Sequence, residues 1–329
     1  MDKSKGFDWR SAISKHTILI VLIAMVIVLA FLDRNFLTFI NIKNIIVLES
    51  SRGIMTFGMC IVMISMGIDL SVSSVAALAS VVSSSLVQEL TYSGRILPGV
   101  GPFPAWVALI AGLVVGAIIG AINGWIIGYI KLPPFIATLG MTTIALGIAY
   151  TYTNASPVSS LSNDFKALSQ TEIGPIPVTA VYIVCLGTLT WVLLKKTKFG
   201  KYVYAIGSNE NAASVAGVAI KRTKVLIYTY CGILAAFAGI LMAGRAGAGN
   251  ATLAKGYELD AISASAIGGV SMTGGVGTLG GVIVGILLLG VLNNGMLLLG
   301  ISPYFQQIIK GLIILIAVTF DTRKNSKNN

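Results

Sequence analysis

The chain alternates long apolar runs with short polar segments, and this pattern predicts membrane-spanning helices. Most runs approach the ~20 residues that a helix needs to cross a bilayer, and none shows the roughly ten-residue alternation of a membrane β-barrel. The runs at 70–88 and 259–271 are rich in Ser and Ala and are the weakest. Ten spans are predicted, at 17–32, 45–66, 70–88, 104–129, 135–153, 178–194, 225–243, 259–271, 276–299 and 304–320.

Two segments, 112–135 and 281–305, repeat one pattern. They read GLVVGAIIGAINGWIIGYIKLPPF and GVIVGILLLGVLNNGMLLLGISPYF, each with spaced glycines, an Asn-Gly pair and a Pro-containing corner that ends in Phe. Asp69, in GIDLSV, precedes the first copy, and Asp260, in ELDAIS, precedes the second. With ten spans the two copies run in opposite directions through the membrane. The sequence therefore predicts an inverted internal repeat, a common construction of transporters.

Composition excludes a soluble globular protein. Hydrophobic residues make up 55% of the chain, charged residues 11%, and the mean hydropathy is +0.88. Lipid offers no hydrogen bonds to an irregular backbone, so the predicted fold class is an all-α polytopic membrane protein. No segment between spans is long enough to form a domain. Residues 1–329 are expected to form one transmembrane domain with repeat halves at about 45–153 and 225–320.

The net charge of +11 does not indicate nucleic-acid binding. The distribution of the positive residues instead predicts the orientation of the chain in the membrane. Most Lys and Arg residues fall in the segments that are cytoplasmic if the N-terminus lies inside, as the positive-inside rule requires. Both termini are therefore predicted to be cytoplasmic. Lys310 is placed within the last span, where it can pair with a carboxylate, extend to the interface or face water.

Glycines recur at every fourth position in the fourth span. This spacing puts them on one helix face, where another backbone can approach closely. Packing is the preferred interpretation, and a sliding surface is the alternative. The glycines are Gly112, Gly116, Gly120, Gly124 and Gly128.

The two aspartates are interpreted first as helix caps. Each precedes a Ser- and Ala-rich run, and a carboxylate there can bind free N–H groups and the positive end of the helix dipole. Asp69 and Asp260 are therefore expected to cap the third and eighth spans, with solute contact as the alternative. The Ser-rich helices are the better candidates to line a polar path.

Segment 195–224 is the most distinctive part of the chain outside the predicted spans. A basic flank leads to Gly207 and then to SNENAASVAGV, where Ser208 or Asn209 can cap a short helix of small side chains. A small helix exposed on the inner face indicates docking into a groove of a partner. The alternative is an amphipathic helix on the inner leaflet, although such helices favour large apolar anchors.

The sequence contains no G-x-x-x-x-G-K-[ST] phosphate-binding loop. The chain is therefore not expected to be an enzyme or to hydrolyse ATP itself. Its three cysteines lie in apolar runs without metal-ligand spacing, so no metal site is predicted.

Nearly the whole chain resembles the permease subunits of bacterial ATP-binding-cassette importers for ribose and related monosaccharides. The resemblance is carried by GIDLSV at 67–72, PPFIATLG at 133–140, AIGSNENAASVAG at 205–217, YELDAISASAIGGVSMTGGVGT at 257–278 and YFQQIIKGLIILIAVTFD at 304–321. One departure is Ser73, where the family often has Gly.

The resemblance implies several partners in the bacterial cytoplasmic (inner) membrane. These are a second permease, identical or related, two ATPase subunits that bind ATP and magnesium, and an external solute-binding protein. No cofactor is expected in this chain. The resemblance also implies that 205–217 contains a coupling helix that sits on the ATPase. The coupling residues would be Gly207, Ser208, Asn209, Glu210, Ala212, Ala213 and Gly217.

The implied mechanism is alternating access, with a neutral sugar passing between two permeases. Hydroxyl and amide side chains suit such a solute, and the candidates for its path are Ser71, Ser74, Asn123, Thr138, Ser263 and Asn293. An ion-coupled secondary transporter is the alternative, because it shares inverted repeats. A channel is a third, although no filter-like segment is present. The particular solute stays open.

Overall fold

The computed structural model describes residues 9–326, which form a helical bundle with one short hairpin. The strands β1 (Glu172–Ile173) and β2 (Ile176–Pro177) pair antiparallel. The helices are α1 (Trp9–Leu32), α2 (Phe39–Ile64), α3 (Val72–Leu86), α4 (Ala105–Trp125, continued by a π-helical turn at Ile126–Ile130), α5 (Pro134–Thr153), α6 (Asn163–Gln170), α7 (Val178–Lys196), α8 (Lys198–Ser208), α9 (Glu210–Val215), α10 (Ile220–Ala246), α11 (Tyr257–Ile267), α12 (Leu279–Leu298) and α13 (Pro303–Ser326).

Each of the ten predicted spans contains a helix, namely α1–α5, α7 and α10–α13. Among the described residues, six helices are long and apolar enough to cross a membrane alone. These are Phe39–Ile64, Ala105–Ile130, Pro134–Thr153, Val178–Lys196, Ile220–Ala246 and Leu279–Leu298. The prediction of an all-α polytopic membrane protein is confirmed.

The two weakest predicted spans, α3 and α11, are helices too short to cross a bilayer, and we call them the partial helices. At 1.5 Å per residue, α3 is ~23 Å long and α11 ~17 Å, which is less than the ~30 Å of a bilayer core. Residues 65–71, before α3, are non-helical and mostly buried, so the protein covers backbone that lipid could not solvate. Discontinuous helices of this kind are typical of transporters.

The residues at the helix ends explain where several helices begin and end. Pro134 occupies the first turn of α5, where its missing N–H costs nothing. The hydroxyl of Thr278 accepts a hydrogen bond from the Gly281 N–H at the start of α12. Gly247, at φ +71°, ends α10 in the left-handed conformation that glycine adopts readily.

The same packing relations occur twice in the bundle. Helix α4 packs on α10, and α12 packs on α2; likewise α3 packs on α5, and α11 on α13. Helices α2 and α10 supply much of the core. This interlocking of α2–α5 with α10–α13 agrees with an internal duplication, whereas the division into halves at 45–153 and 225–320 stays a prediction.

The glycine series of α4 is a packing seam against α10. A methyl group added at Gly116 would overlap the carbonyl oxygen of Gly232, and one at Gly120 would overlap that of Tyr228. At Gly128 the nearest atom would be a carbonyl oxygen at 3.0 Å. The backbones of α4 and α10 therefore meet almost directly, and the interpretation of the series as a packing face is confirmed.

Candidate functional site

The predicted coupling segment consists of α8 and α9 joined at Asn209. The Asn209 side chain accepts a hydrogen bond from the Ala212 N–H at 2.9 Å, which confirms Asn209 as the cap of α9. Glu210, in the first turn of α9, pairs with Lys224 of α10 at 2.8 Å. Helix α9 is thus held at a fixed place on the bundle.

One of the predicted coupling residues of α9 does not face outward. Ala213, predicted to take part in coupling, is only 4% exposed and packs against its own protein. Successive residues of a helix point about 100° apart, so Ala212 and Val215 face away from the bundle. Val215 is 91% exposed and Ala212 is also exposed, as are Ala216 and Gly217 beyond the helix. The apolar side chain most available to a partner is Val215.

Gly207 joins the coupling segment to the bundle. A methyl group there would overlap the carbonyl oxygen of Ile64, the last residue of α2. That oxygen also accepts a hydrogen bond from the Gly275 N–H at 2.9 Å, and the Tyr204 hydroxyl donates to the carbonyl of Gly277 at 2.8 Å. Ser208, the last residue of α8, bonds back to the Tyr204 carbonyl at 2.9 Å. The segment is therefore fixed to both the end of α2 and the α11–α12 connection.

We name these contacts the Gly207 joint, defined by Tyr204, Gly207, Ile64, Gly275 and Gly277. It contacts the end of α2, which the chain leaves for α3, and the segment that connects α11 to α12, so it adjoins the connections to both partial helices. Sequence reasoning placed Gly207 in the coupling loop but had no signal for these contacts, because the three segments lie far apart in the chain.

Several predicted path residues meet at the start of α3. The Ser71 hydroxyl donates to the Asp69 carboxylate at 2.6 Å and accepts from the Asn123 amide at 2.9 Å. The Ser74 hydroxyl donates to the Ser71 carbonyl, and the Thr138 hydroxyl to that of Pro134. The four path candidates and Asp69 are buried, at 1% exposure or less. Their role in a path stays a prediction.

Asp69 lies two residues before the cap position of α3 and is not the cap itself. Ser71 occupies the cap of α3, and its N–H donates to the Asp69 carboxylate at 2.9 Å. The carboxylate thus stabilises the turn that leads into the helix, and the prediction that Asp69 itself caps α3 is wrong.

The prediction that Asp260 is a cap is wrong. Helix α11 begins after Gly256, and Asp260 is its fourth residue. Its side chain forms a salt bridge with Lys310 of α13 at 3.0 Å and lies 4.0 Å from Arg52. The opposite charges on neighbouring helices, and not the helix end, determine where the carboxylate points.

Sequence reasoning missed Glu49 and Arg52, which lie inside the apolar α2. They pair at 2.5 Å, and the Arg52 guanidinium also lies 4.5 Å from the ring centre of Tyr257. A charged side chain at the centre of a membrane helix costs ~2.5–3.5 kcal/mol, so it is usually kept for a function. Two opposite charges three residues apart within a predicted span were the signal that could have revealed them.

The remaining two path candidates lie near these charges. The Ser263 hydroxyl, one turn after Asp260, donates to the Leu259 carbonyl at 2.6 Å. Asn293 lines a cavity of about 10 Å³ together with Glu49, Arg52 and Asp260. We name Glu49, Arg52, Asp260 and Lys310 the charged cluster.

A larger cavity of about 600 Å³, lined by both polar and apolar side chains, lies where α2 begins and α12 ends. Lys43 and Glu172, both in its wall, form a salt bridge at 2.5 Å. Beside it, Asn41 and Asn294 exchange two buried amide hydrogen bonds of 2.9 and 2.8 Å. Asn294 thus joins α12 to α2.

Comparison with known proteins gives close relatives over nearly the full chain. Residues 41–318 match the family described as "Branched-chain amino acid transport system / permease component". The galactose/methyl galactoside import permease protein MglC of Haemophilus influenzae is 38% identical over 99% of this chain and 98% of its own. The ribose import permease protein RbsC of Bacillus subtilis is 41% identical over 93% and 92%, respectively.

A third relative is the L-arabinose transport system permease protein AraH of Escherichia coli, which is 38% identical over 97% of this chain and 94% of its own. No solved structure matches the chain.

Proposed function

This chain belongs to the permease-component family that matches residues 41–318, and from that premise we propose that it is the membrane subunit of an ATP-driven monosaccharide importer. The observation that carries the proposal is 38–41% identity, over more than nine-tenths of the chain, to permeases named for galactose, ribose and arabinose. None of these relatives is named as an ion-coupled carrier, so the comparisons favour the importer over the secondary transporter.

The importer requires partners that supply energy and solute. We propose that a separate ATPase subunit binds ATP and magnesium, that a solute-binding protein delivers the sugar outside, and that a second permease completes the path. Gly207 of α8, Ile64 and Gly275 contact one another, so they lie on the same side of the membrane. This shared location supports an inner position for the coupling segment. The orientation predicted from positive charge puts all three on the cytoplasmic side.

In this mechanism the ATPase contacts the exposed side of the coupling segment at Ala212, Val215 and Ala216. Because Gly207 is packed against the end of α2 and next to Gly275, displacement of the coupling segment would move the backbone that leads into α3 and α12. The sugar path would then open to one side of the membrane at a time. The Gly207 joint is the contact that supports this route.

The test is uptake by the complete importer, reconstituted in proteoliposomes with its ATPase and binding protein. Labelled D-ribose, D-galactose and L-arabinose are supplied separately. At least one sugar should accumulate when ATP is present inside, and dissipating the sodium and proton gradients should have no effect. Uptake that persists without ATP and stops when an ion gradient is removed would instead establish the secondary transporter.

The coupling contact is tested by Val215→Arg, which puts a charge on the exposed apolar side chain of α9. The amount of sugar moved per ATP hydrolysed should fall about tenfold, which corresponds to a loss of ~1.4 kcal/mol in contact free energy. Val100→Arg is the matched control, because Val100 is an exposed valine in the loop before α4. If the two variants moved equal amounts of sugar per ATP hydrolysed, this result would count against a coupling role for α9.

A further inference from the structure

The charged cluster lies within the membrane-spanning part of the bundle, although a neutral sugar requires no counter-charge. Arg52 is the fourteenth of the 26 residues of α2, which places it near the middle of the longest helix of the first half. Replacing a buried ion pair by apolar residues is often neutral or stabilising, so stability alone does not explain the cluster. Ionisable groups at this depth usually serve a solute or ion pathway.

The charges of the cluster balance, and this argues against an ion as its ligand. Glu49 and Asp260 are acidic, Arg52 and Lys310 are basic, and the formal sum is zero. Salt bridges of 2.5 and 3.0 Å pair Glu49 with Arg52 and Asp260 with Lys310. A site for a free cation or anion would have an excess of the opposite charge.

The cluster has hydrogen-bonding capacity that the protein leaves unused. Within the part of the chain that the structure describes, Arg52 Nε and both amide atoms of Asn293 are buried without hydrogen-bond partners. The Asp260 carboxylate lies 4.0 Å from Arg52 Nε, which is too far for a hydrogen bond. These atoms offer both donors and an acceptor, and a sugar hydroxyl both donates and accepts.

Access to the cluster is from the side of α13. The side chain of Lys310 is 26% exposed, whereas those of Asp260 and Glu49 are 10% and 8% exposed. Helix α13 packs chiefly on α11, so the Lys310–Asp260 pair joins a peripheral helix to the bundle. The cavity beside Arg52 is about 10 Å³, the size of one water, so a sugar could enter only if the surrounding helices separated.

We propose that the charged cluster, with Asn293, is a contact site for the hydroxyl groups of the transported sugar, exposed when α13 moves away from α11. In the closed arrangement the charges satisfy one another. When the helices separate, Lys310 and Asp260 exchange their salt bridge for hydrogen bonds to the solute. This inference rests on the proposed function, since it assigns residues to the path of that importer.

The first test separates solute contact from a structural ion pair. Asp260→Asn, Lys310→Met and the exchanged pair Asp260→Lys/Lys310→Asp are each assembled into the complete importer, and co-purification of the ATPase confirms assembly. All three should lower initial uptake about tenfold or more, as expected for the loss of a charged hydrogen bond. Restoration of uptake by the exchanged pair would show a structural salt bridge and overturn the proposal.

The control is Lys43→Met, because Lys43 has the same 26% side-chain exposure as Lys310 and is also paired with a carboxylate. It should leave uptake unchanged. An equal loss in Lys43→Met and Lys310→Met would show a general sensitivity to broken salt bridges and would overturn the assignment.

The second test is direct binding, for cases where a variant assembles poorly. Saturation-transfer NMR is recorded on the permease–ATPase complex in nanodiscs, with D-ribose, D-galactose or L-arabinose at millimolar concentration and no binding protein. The sugar that the importer moves should give a signal that Arg52→Lys and Asn293→Leu reduce. If wild type transports a sugar with ATP but the signal is absent or unchanged in the variants, this inference fails and the proposed function stands.

Discussion

Replacing Gly116 with alanine should destabilise the protein, because the added methyl group has no space between α4 and α10. The new Cβ would overlap the carbonyl oxygen of Gly232 and lie 2.5 Å from the Cβ of Ala236. Real Cβ atoms essentially never approach another atom within 3.0 Å. The opposing atoms include backbone, so no flexible side chain can turn aside and the two helices must separate.

The magnitude follows from two opposing effects. Overpacking a filled core costs ~1–3 kcal/mol, and the upper end applies where backbone blocks the new group. Exchanging glycine for alanine within a helix recovers ~1 kcal/mol. The net loss is therefore ~2 kcal/mol, which at roughly 2 °C per kcal/mol for a chain of this size lowers the melting temperature by about 4 °C.

Gly140→Ala is the matched control, because Gly140 of α5 has no atom within 4 Å of the position of a Cβ. It gains the same helix preference without a clash and should raise the melting temperature by ~1–2 °C. The pair thus isolates the effect of the α4–α10 contact.

Unfolding is followed in detergent by a thiol-reactive dye. Cys60 and Cys231 are buried and become reactive only on unfolding, whereas Cys185 is exposed and is replaced by Ser to lower the background. If Gly116→Ala melts at or above its parent while Gly140→Ala behaves as expected, then α4 and α10 do not approach each other as closely as the structure requires.

Two further predictions concern the Gly207 joint and the amide pair. Gly207→Ala should lower sugar uptake in proteoliposomes about tenfold, since a displacement of ~1 Å at a positioning contact can cost this much or more. Gly280→Ala, at an open site on α12, should not lower it. Asn41→Leu or Asn294→Leu alone should cost ~1–3 kcal/mol in thermal unfolding, because the remaining buried amide loses its partner. The double variant should melt close to wild type, and a loss equal to the sum of the single losses would contradict the pairing.

Predictions that depend on local sequence agree with the structure. The glycine spacing in α4 places every member on one face whatever surrounds the helix, and α10 packs on that face. Asn209 caps α9 because its side chain needs only the N–H three residues later. Both follow from backbone geometry within one turn or one helix.

Predictions that depend on which side faces the bundle were less successful. Ala213 was expected at the partner surface, yet it packs inward and Val215 points outward. Asp260 was expected to cap a helix, yet it pairs with Lys310 fifty residues later. A short helix of small residues has no strong apolar face to orient it, so the buried side of α9 could not be predicted. A carboxylate pairs with the nearest cation, and only the folded chain defines where that cation lies.

The sequence alone determined the class of protein and the ten helical segments, because a bilayer constrains every span through its own length, hydropathy and backbone hydrogen bonding. It also determined where the short helix α9 begins. Only the tertiary structure brought Gly207 against Ile64, and only the tertiary structure placed Arg52 of α2 beside Asp260 of α11 and Lys310 of α13. These contacts join residues that are distant in the chain, and their geometry depends on how the helices pack, which no local pattern records.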